Sequence, residues 1–209
     1  MPRTSNRGKK FPAEILSREE IGALMRSCSR RAPTGIRNRA LIAVLYRAGL
    51  RLSEALSLRP KDLDRDAGTL RILRGKGRQA RTVGMDPAGF AVLERWLDVR
   101  SGKLGINGAC RTFCTLSGKE VQPSYIRALL PRLGRKAGIE KRVHAHGLRH
   151  AFSSELAREG VPVPLISRQL GHANIRTTTT YLSGISPEET VKAIRSRRWN
   201  GGAGPDETR

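Results

Sequence analysis

His146-Gly147-Leu148-Arg149-His150, followed by Leu170-Gly171-His172 and then by Tyr181 after the Thr177–Thr180 run, decides how this chain is read. On a helix, His146 and Arg149 fall on one face, because residues at i and i+3 are surface neighbours. Upstream, Gly49-Leu50-Arg51-Leu52-Ser53-Glu54-Ala55-Leu56 carries Arg51, and the turn Gly75-Lys76-Gly77 carries Lys76. These residue types share a chemistry. Guanidinium and ammonium groups hold phosphate, imidazole moves protons near neutral pH, and a phenol becomes a nucleophile beside positive charge.

Composition points to a polyanion. Forty Lys and Arg stand against eighteen Asp and Glu, leaving a formal charge of +22 on 209 residues. That imbalance costs self-repulsion until something neutralises it, and nucleic acid is the natural partner. The basic residues run along the whole chain, so the charge belongs to a folded surface. Charge alone would equally suit a ribosomal or general RNA-binding protein. An apolar fraction of 38% with only 4% aromatic residues predicts a core of Leu, Ile, Val and Ala. No apolar run is long enough to span a membrane, and the basic residues Met1 to Lys10 lead into no apolar segment of a secretory signal. Three cysteines, Cys28, Cys110 and Cys114, suggest no disulfide framework and fit a reducing cytoplasm.

Local patterning predicts mostly helix with one small sheet. Ser17 and Glu20 form a capping box ahead of Ile21, Leu24 and Met25. A second helix carries Ala40, Leu41, Val44, Leu45 and Ala48 as a buried stripe, Gly49 ends it, and a third short helix carries Leu52, Ala55 and Leu56. Between Thr69 and Met85 the period changes to alternation around Gly75-Lys76-Gly77, which predicts a β-hairpin with a basic tip. Helix resumes at Pro87 with Phe90, Leu93 and Trp96 as core residues. Residues 101–122 read as irregular, with a short strand near 111–116. Helices are expected at about 123–137, 146–159, 162–170, 174–182 and 187–198, the last opened by Ser186-Pro187.

The set Arg51, Lys76, His146-x-x-Arg149, His172 and Tyr181, in that order, resembles the active site of the tyrosine recombinase (phage integrase) family, over roughly residues 13 to 199. The resemblance implies an α+β fold, a mostly α-helical catalytic domain with a small antiparallel β-sheet, as in DNA breaking-rejoining enzymes. It implies a catalytic domain at 13–199, which composition flanks with a disordered basic arm at 1–12 and a disordered tail at 200–209. It also implies a site-specific recombinase that cuts and rejoins double-stranded DNA through a 3′-phosphotyrosyl intermediate, without cofactor or metal. A homo-tetramer on synapsed DNA and accessory DNA-bending proteins are the partners expected with it, in the cytoplasm.

Each position has a role within that resemblance. Arg51 and Arg149 clamp the non-bridging phosphate oxygens, since a guanidinium gives parallel hydrogen bonds and stays charged. Tyr181 is the nucleophile. Of the other two tyrosines, Tyr46 lies mid-helix near the buried stripe and Tyr125 opens a helix away from the motifs. Lys76 donates a proton to the leaving 5′-oxygen, with Arg78 and Arg81 also within reach of the DNA backbone. His146 accepts or relays the tyrosine proton, and His172 hydrogen-bonds a non-bridging oxygen. His150 is a packing residue, and Glu54 holds Arg51 by a salt bridge.

The same residues admit other readings. Cys110-x-x-x-Cys114 with His144 and His146 fits no common zinc spacing. A type IB topoisomerase would use the same attack on phosphorus, and a DNA-binding regulator could keep the fold without cutting; the latter has no need of Tyr181. Family members commonly place a separate DNA-clamping domain before the catalytic one. Here about twelve residues precede the first predicted helix, and Arg3, Arg7, Lys9 and Lys10 are expected to stand in for part of that clamp. The last helix is amphipathic through Val191 and Ile194, and in the family that region docks on a neighbouring protomer.

Overall fold

The computed structural model describes residues 15–73, 80–106 and 110–171. Helix α1 (Arg18–Arg26) begins where the capping box predicts it: Ser17 Oγ accepts from the Glu20 amide at 3.2 Å, and Glu20 Oε2 accepts from the Ser17 amide at 2.7 Å. Proline at the first turn starts α2 (Pro33–Arg47), a favourable position because its missing N–H would be unsatisfied there anyway. Arg51 then precedes the short α3 (Leu52–Ser57).

One difference from the predicted pattern matters for everything around it. Helix α2 is not a striped surface helix. Ile36 to Asn38 and Ala40 to Tyr46 are all buried, so it runs through the centre of the molecule with α4 and α6 packed against it. A helix covered on every side is apolar nearly all round, which blurs the one-sided signature that periodicity detects.

The hairpin is present as β2 (Thr69–Ile72) paired antiparallel with β3 (Arg81–Gly84), in the register Thr69 opposite Gly84 and Ile72 opposite Arg81. A two-residue strand, β1 (Leu63–Asp64), extends the sheet on the other side of β2. Leu70, Ile72 and Val83 point into the core and Arg71 and Thr82 point out, as alternation requires. Helix α4 (Pro87–Asp98) is capped by Asp86, whose Oδ1 accepts from the Gly89 amide at 3.1 Å. The short strand expected near 111–116 is absent: among the described residues that segment contributes one isolated bridge, Cys114 to Glu120. Its backbone is held by other elements instead. Trp96 Nε1 donates to the Thr112 carbonyl at 2.8 Å, and the Thr112 amide donates to Leu58 at 2.7 Å.

Three helices complete the described chain: α5 (Pro123–Lys136), α6 (Ala145–Arg158) and α7 (Val163–Leu170). Two glycines set the geometry of the site. Gly49 turns the chain out of α2 at φ 65°, where a Cβ would come 2.4 Å from Phe152 Cδ1. Gly171 ends α7 at φ 64°, where a Cβ would come 2.6 Å from Arg81 Cζ. Only a residue without a side chain satisfies both the left-handed backbone and the close approach. Among the described residues no helix is long and apolar enough to cross a membrane. The basic arm, the helices expected at 174–182 and 187–198, and the tail lie outside the described residues.

Candidate active site

Arg51, His146 and Arg149, far apart in sequence, line one cleft of about 460 Å³ together with Arg127, Arg142 and His144. The α2-to-α3 turn delivers Arg51, the first turns of α6 deliver His146 and Arg149, and α5 delivers Arg127. None of the described residues lining it is a carboxylate. A concave surface with four guanidinium groups and two imidazoles is built for an anion with several acceptor oxygens.

The guanidinium groups are held from behind. Arg149 is nearly buried, and it donates to the carbonyls of Gly49 and Leu170, each at 2.7 Å. Arg51 donates to Glu54 Oε1 at 2.9 Å and to the Leu170 and Gly171 carbonyls at 3.4 Å. The Leu170 carbonyl also accepts from Arg81 at 3.2 Å. Three guanidinium groups therefore converge on the last carbonyl of α7, the negative end of that helix dipole. Arg51 and Arg149 have N–H groups enough to serve this scaffold and still line the cleft.

Glu54 supplies the counter-charge. It is buried, with Arg51, Arg81 and Arg149 around it, the last at 3.8 Å. Burial by itself would raise its carboxyl; hydrogen bonds from Arg81 and from the Arg51 backbone outweigh that and hold it at about 2. The expected Arg51–Glu54 ion pair is present. Arg81 differs from the expectation that it lies within reach of the DNA backbone: its guanidinium is turned inward onto Glu54 and the end of α7.

His146 lies at the rim of the cleft. Partial burial of its ring, followed by the charges of Arg149 and Arg51, pushes its pKa below the ordinary histidine value, so the ring is neutral at neutral pH. His150 sits edge-on to it, 6.4 Å between ring centroids. Tyr46 is buried and its hydroxyl donates to Glu155, a structural placement. Tyr125 is exposed at the start of α5, its ring under the Arg37 guanidinium at 5.5 Å. Lys76, His172 and Tyr181 lie outside the described residues, as does Arg78. Among the described residues no cluster of three or more His, Cys, Asp or Glu is placed to share a metal ion. Sequence reading missed Arg127 and Arg142 as cleft residues. In a chain with forty basic residues neither carries a local signal.

Comparison with known proteins places this architecture. The chain belongs to the phage integrase family, whose model matches residues 14–184. Within that family it is similar to a tyrosine recombinase of Thermosipho africanus, 31% identical over 189 residues, which covers 90% of this chain and 62% of the relative. The crystal structure of XerA recombinase superposes with a TM-score of 0.77 at 28% identity, covering 91% of this chain and 68% of that one. XerH site-specific recombinase, in a post-cleavage complex with palindromic difH substrate, superposes with a TM-score of 0.73 at 28% identity, covering 92% of this chain and 55% of that one. The chain spans about three fifths of the length of the curated relatives it matches, 62% of the Thermosipho protein and 60% of a XerC of Lactobacillus leichmannii.

Proposed function

We propose that this chain is the catalytic region of a site-specific recombinase that cleaves and rejoins double-stranded DNA with Tyr181 as nucleophile. The observation that carries the reading is the meeting of Arg51, His146 and Arg149 at one cleft with no carboxylate among its described lining residues, backed by Glu54 and the Leu170 carbonyl. The similarity to recombinases solved with DNA supports the same partner.

In this reading the Tyr181 hydroxyl attacks the scissile phosphorus in line while its proton passes to His146. The P–O5′ bond breaks, Lys76 protonates the departing 5′-oxygen, and the tyrosine is left linked to the 3′-phosphate. Arg51, Arg149 and His172 hold the non-bridging oxygens as charge builds on the pentacoordinate phosphorus. Preorganised donors of this kind are worth about 10²–10³ in rate each. A 5′-hydroxyl from another strand reverses the steps, so the phosphoester bond is conserved and no high-energy cofactor enters. A tetramer on two duplexes, with accessory DNA-bending proteins, in the cytoplasm, completes the proposal.

The test uses nicked suicide duplexes of randomised sequence in the presence of EDTA. A denaturation-resistant protein–DNA adduct that maps to Tyr181, and that Tyr181→Phe does not form, is the expected result. An adduct on another residue, or none across the library, overturns the reading.

A further inference from the structure

Helix α6 starts in an unusual way. Its N-cap is His144, in extended conformation at φ −152° and ψ 161°, and the cap acceptor is a ring nitrogen: Nδ1 receives the Gly147 amide at 3.1 Å. The residues that ordinarily do this, Ser, Thr, Asp and Asn, carry a short side-chain oxygen that remains an acceptor near neutral pH. An imidazole nitrogen accepts only while it is unprotonated. The third helical residue is the other half of the device. A Cβ on Gly147 would lie 3.4 Å from His144 Nε2 and 3.5 Å from Cε1, so the glycine leaves room for the ring across the first turn.

The capping ring is also joined to the site. It stacks with His146 at 6.3 Å between centroids, the planes 14° apart, and both rings line the cleft with Arg149. We propose that His144 is a positioning residue: its neutral imidazole caps α6 and thereby fixes the turn from which His146 and Arg149 face the scissile phosphate. The inference deepens the reading of the cleft as a phosphodiester site and rests on it.

Among the described residues, every charged group facing His144 works to keep it neutral. Arg142 stands beside it in the preceding loop, His146, Arg149 and His150 come from α6, Arg51 from the start of α3 and Arg127 from α5. Among the described residues lining the cleft there is no carboxylate to favour the protonated ring. Burial first, and Arg142 next, put its pKa below the ordinary histidine value. Once Nδ1 takes a proton, two N–H groups oppose each other and the cap is lost. A bound phosphodiester adds negative charge to the same cleft, so cap loss shifts toward neutral pH when DNA is present.

Two variants separate this from simple packing. His144→Ser restores a cap oxygen that does not titrate, and His144→Ala removes the cap. In the full-length ¹⁵N-labelled chain, hydrogen exchange of the Gly147 amide is followed from about neutral pH to about pH 5, after correction for intrinsic rates. Protection in the wild type is expected to fall as pH drops below the ordinary histidine value, and in His144→Ser to stay flat. At neutral pH, His144→Ala should exchange faster by roughly two- to thirtyfold, the span of cap losses. Its affinity for inorganic phosphate, read from the His146 ring resonances, should fall, and His144→Ser should recover part of that loss. PH-independent protection in the wild type, or full protection in His144→Ala, overturns the proposal. Exchange is measured without DNA, so this result is independent of whether the chain forms the Tyr181 adduct.

Discussion

Each oxygen of the Glu54 carboxylate accepts a hydrogen bond from Arg81, both at 3.0 Å. Arg81 is the first residue of β3, the strand that follows the sequence segment carrying Lys76. Glu54 sits in α3 beside Arg51, and the Leu170 carbonyl, which Arg81 also reaches, closes α7 just before His172. One fork-to-fork pair therefore ties together the three places from which the proposed catalytic groups depart. Bidentate geometry fixes direction as well as distance.

Glu54→Gln should cost about 3–5 kcal/mol in urea unfolding at neutral pH, because it leaves buried guanidinium groups without their counter-charge. The pH dependence follows from the carboxyl at about 2. Its folded value lies below its unfolded one, so its contribution is complete above the ordinary carboxylate range. That contribution, about 3 kcal/mol, is lost as pH falls from that range toward about 2. The wild-type advantage over Glu54→Gln should shrink across that window and stay constant above it.

Arg81→Lys keeps the charge and loses the fork. A point charge cannot give two parallel hydrogen bonds to Glu54, so stability should drop by about 1–3 kcal/mol. Adduct formation on suicide duplexes should slow by about tenfold, since misplacement of catalytic groups costs rate steeply. Affinity for the duplex, measured by fluorescence anisotropy, should change little, because the Arg81 guanidinium faces inward.

Gly171→Ala places a methyl where the Arg81 guanidinium already lies and forces a side chain onto φ 64°. A cost of about 1–3 kcal/mol is expected from thermal or urea unfolding. Part of it should vanish in an Arg81→Ala background, giving a non-additive double-mutant cycle. Additive costs would show that the strain is in the backbone alone.

Arg127→Ala and Arg142→Ala should each lower the slope of log affinity against log salt by about one unit if each contacts a phosphate. The measurement is a salt titration of binding to a duplex of any sequence. Reductions equal across sequences identify backbone contacts, whereas a change confined to particular sequences would assign base contacts instead.

Burial, Arg149 and Arg51 hold the His146 pKa below the ordinary histidine value. Adduct formation should therefore be at its plateau at neutral pH and fall only as pH drops below the ordinary histidine value, as the proton acceptor is filled. Loss of rate already above pH 7 would assign that step to another group.

The sequence by itself determined what is local. Ser17 and Glu20 announce the start of α1, Pro87 that of α4, and alternation from Thr69 marks the hairpin, because caps, prolines and side-chain period act within a few residues. The i, i+3 spacing likewise put His146 and Arg149 on one face before any packing was known. Tertiary structure decided the rest. It buried α2 on all sides, left residues 111–116 without a strand by giving their backbone to Trp96 and Leu58, and turned Arg81 from DNA to Glu54. It also chose Arg127 and Arg142 from many similar arginines. Those outcomes depend on which distant groups meet and on the cost of burying charge without a partner, and neither is written in the spacing of neighbours.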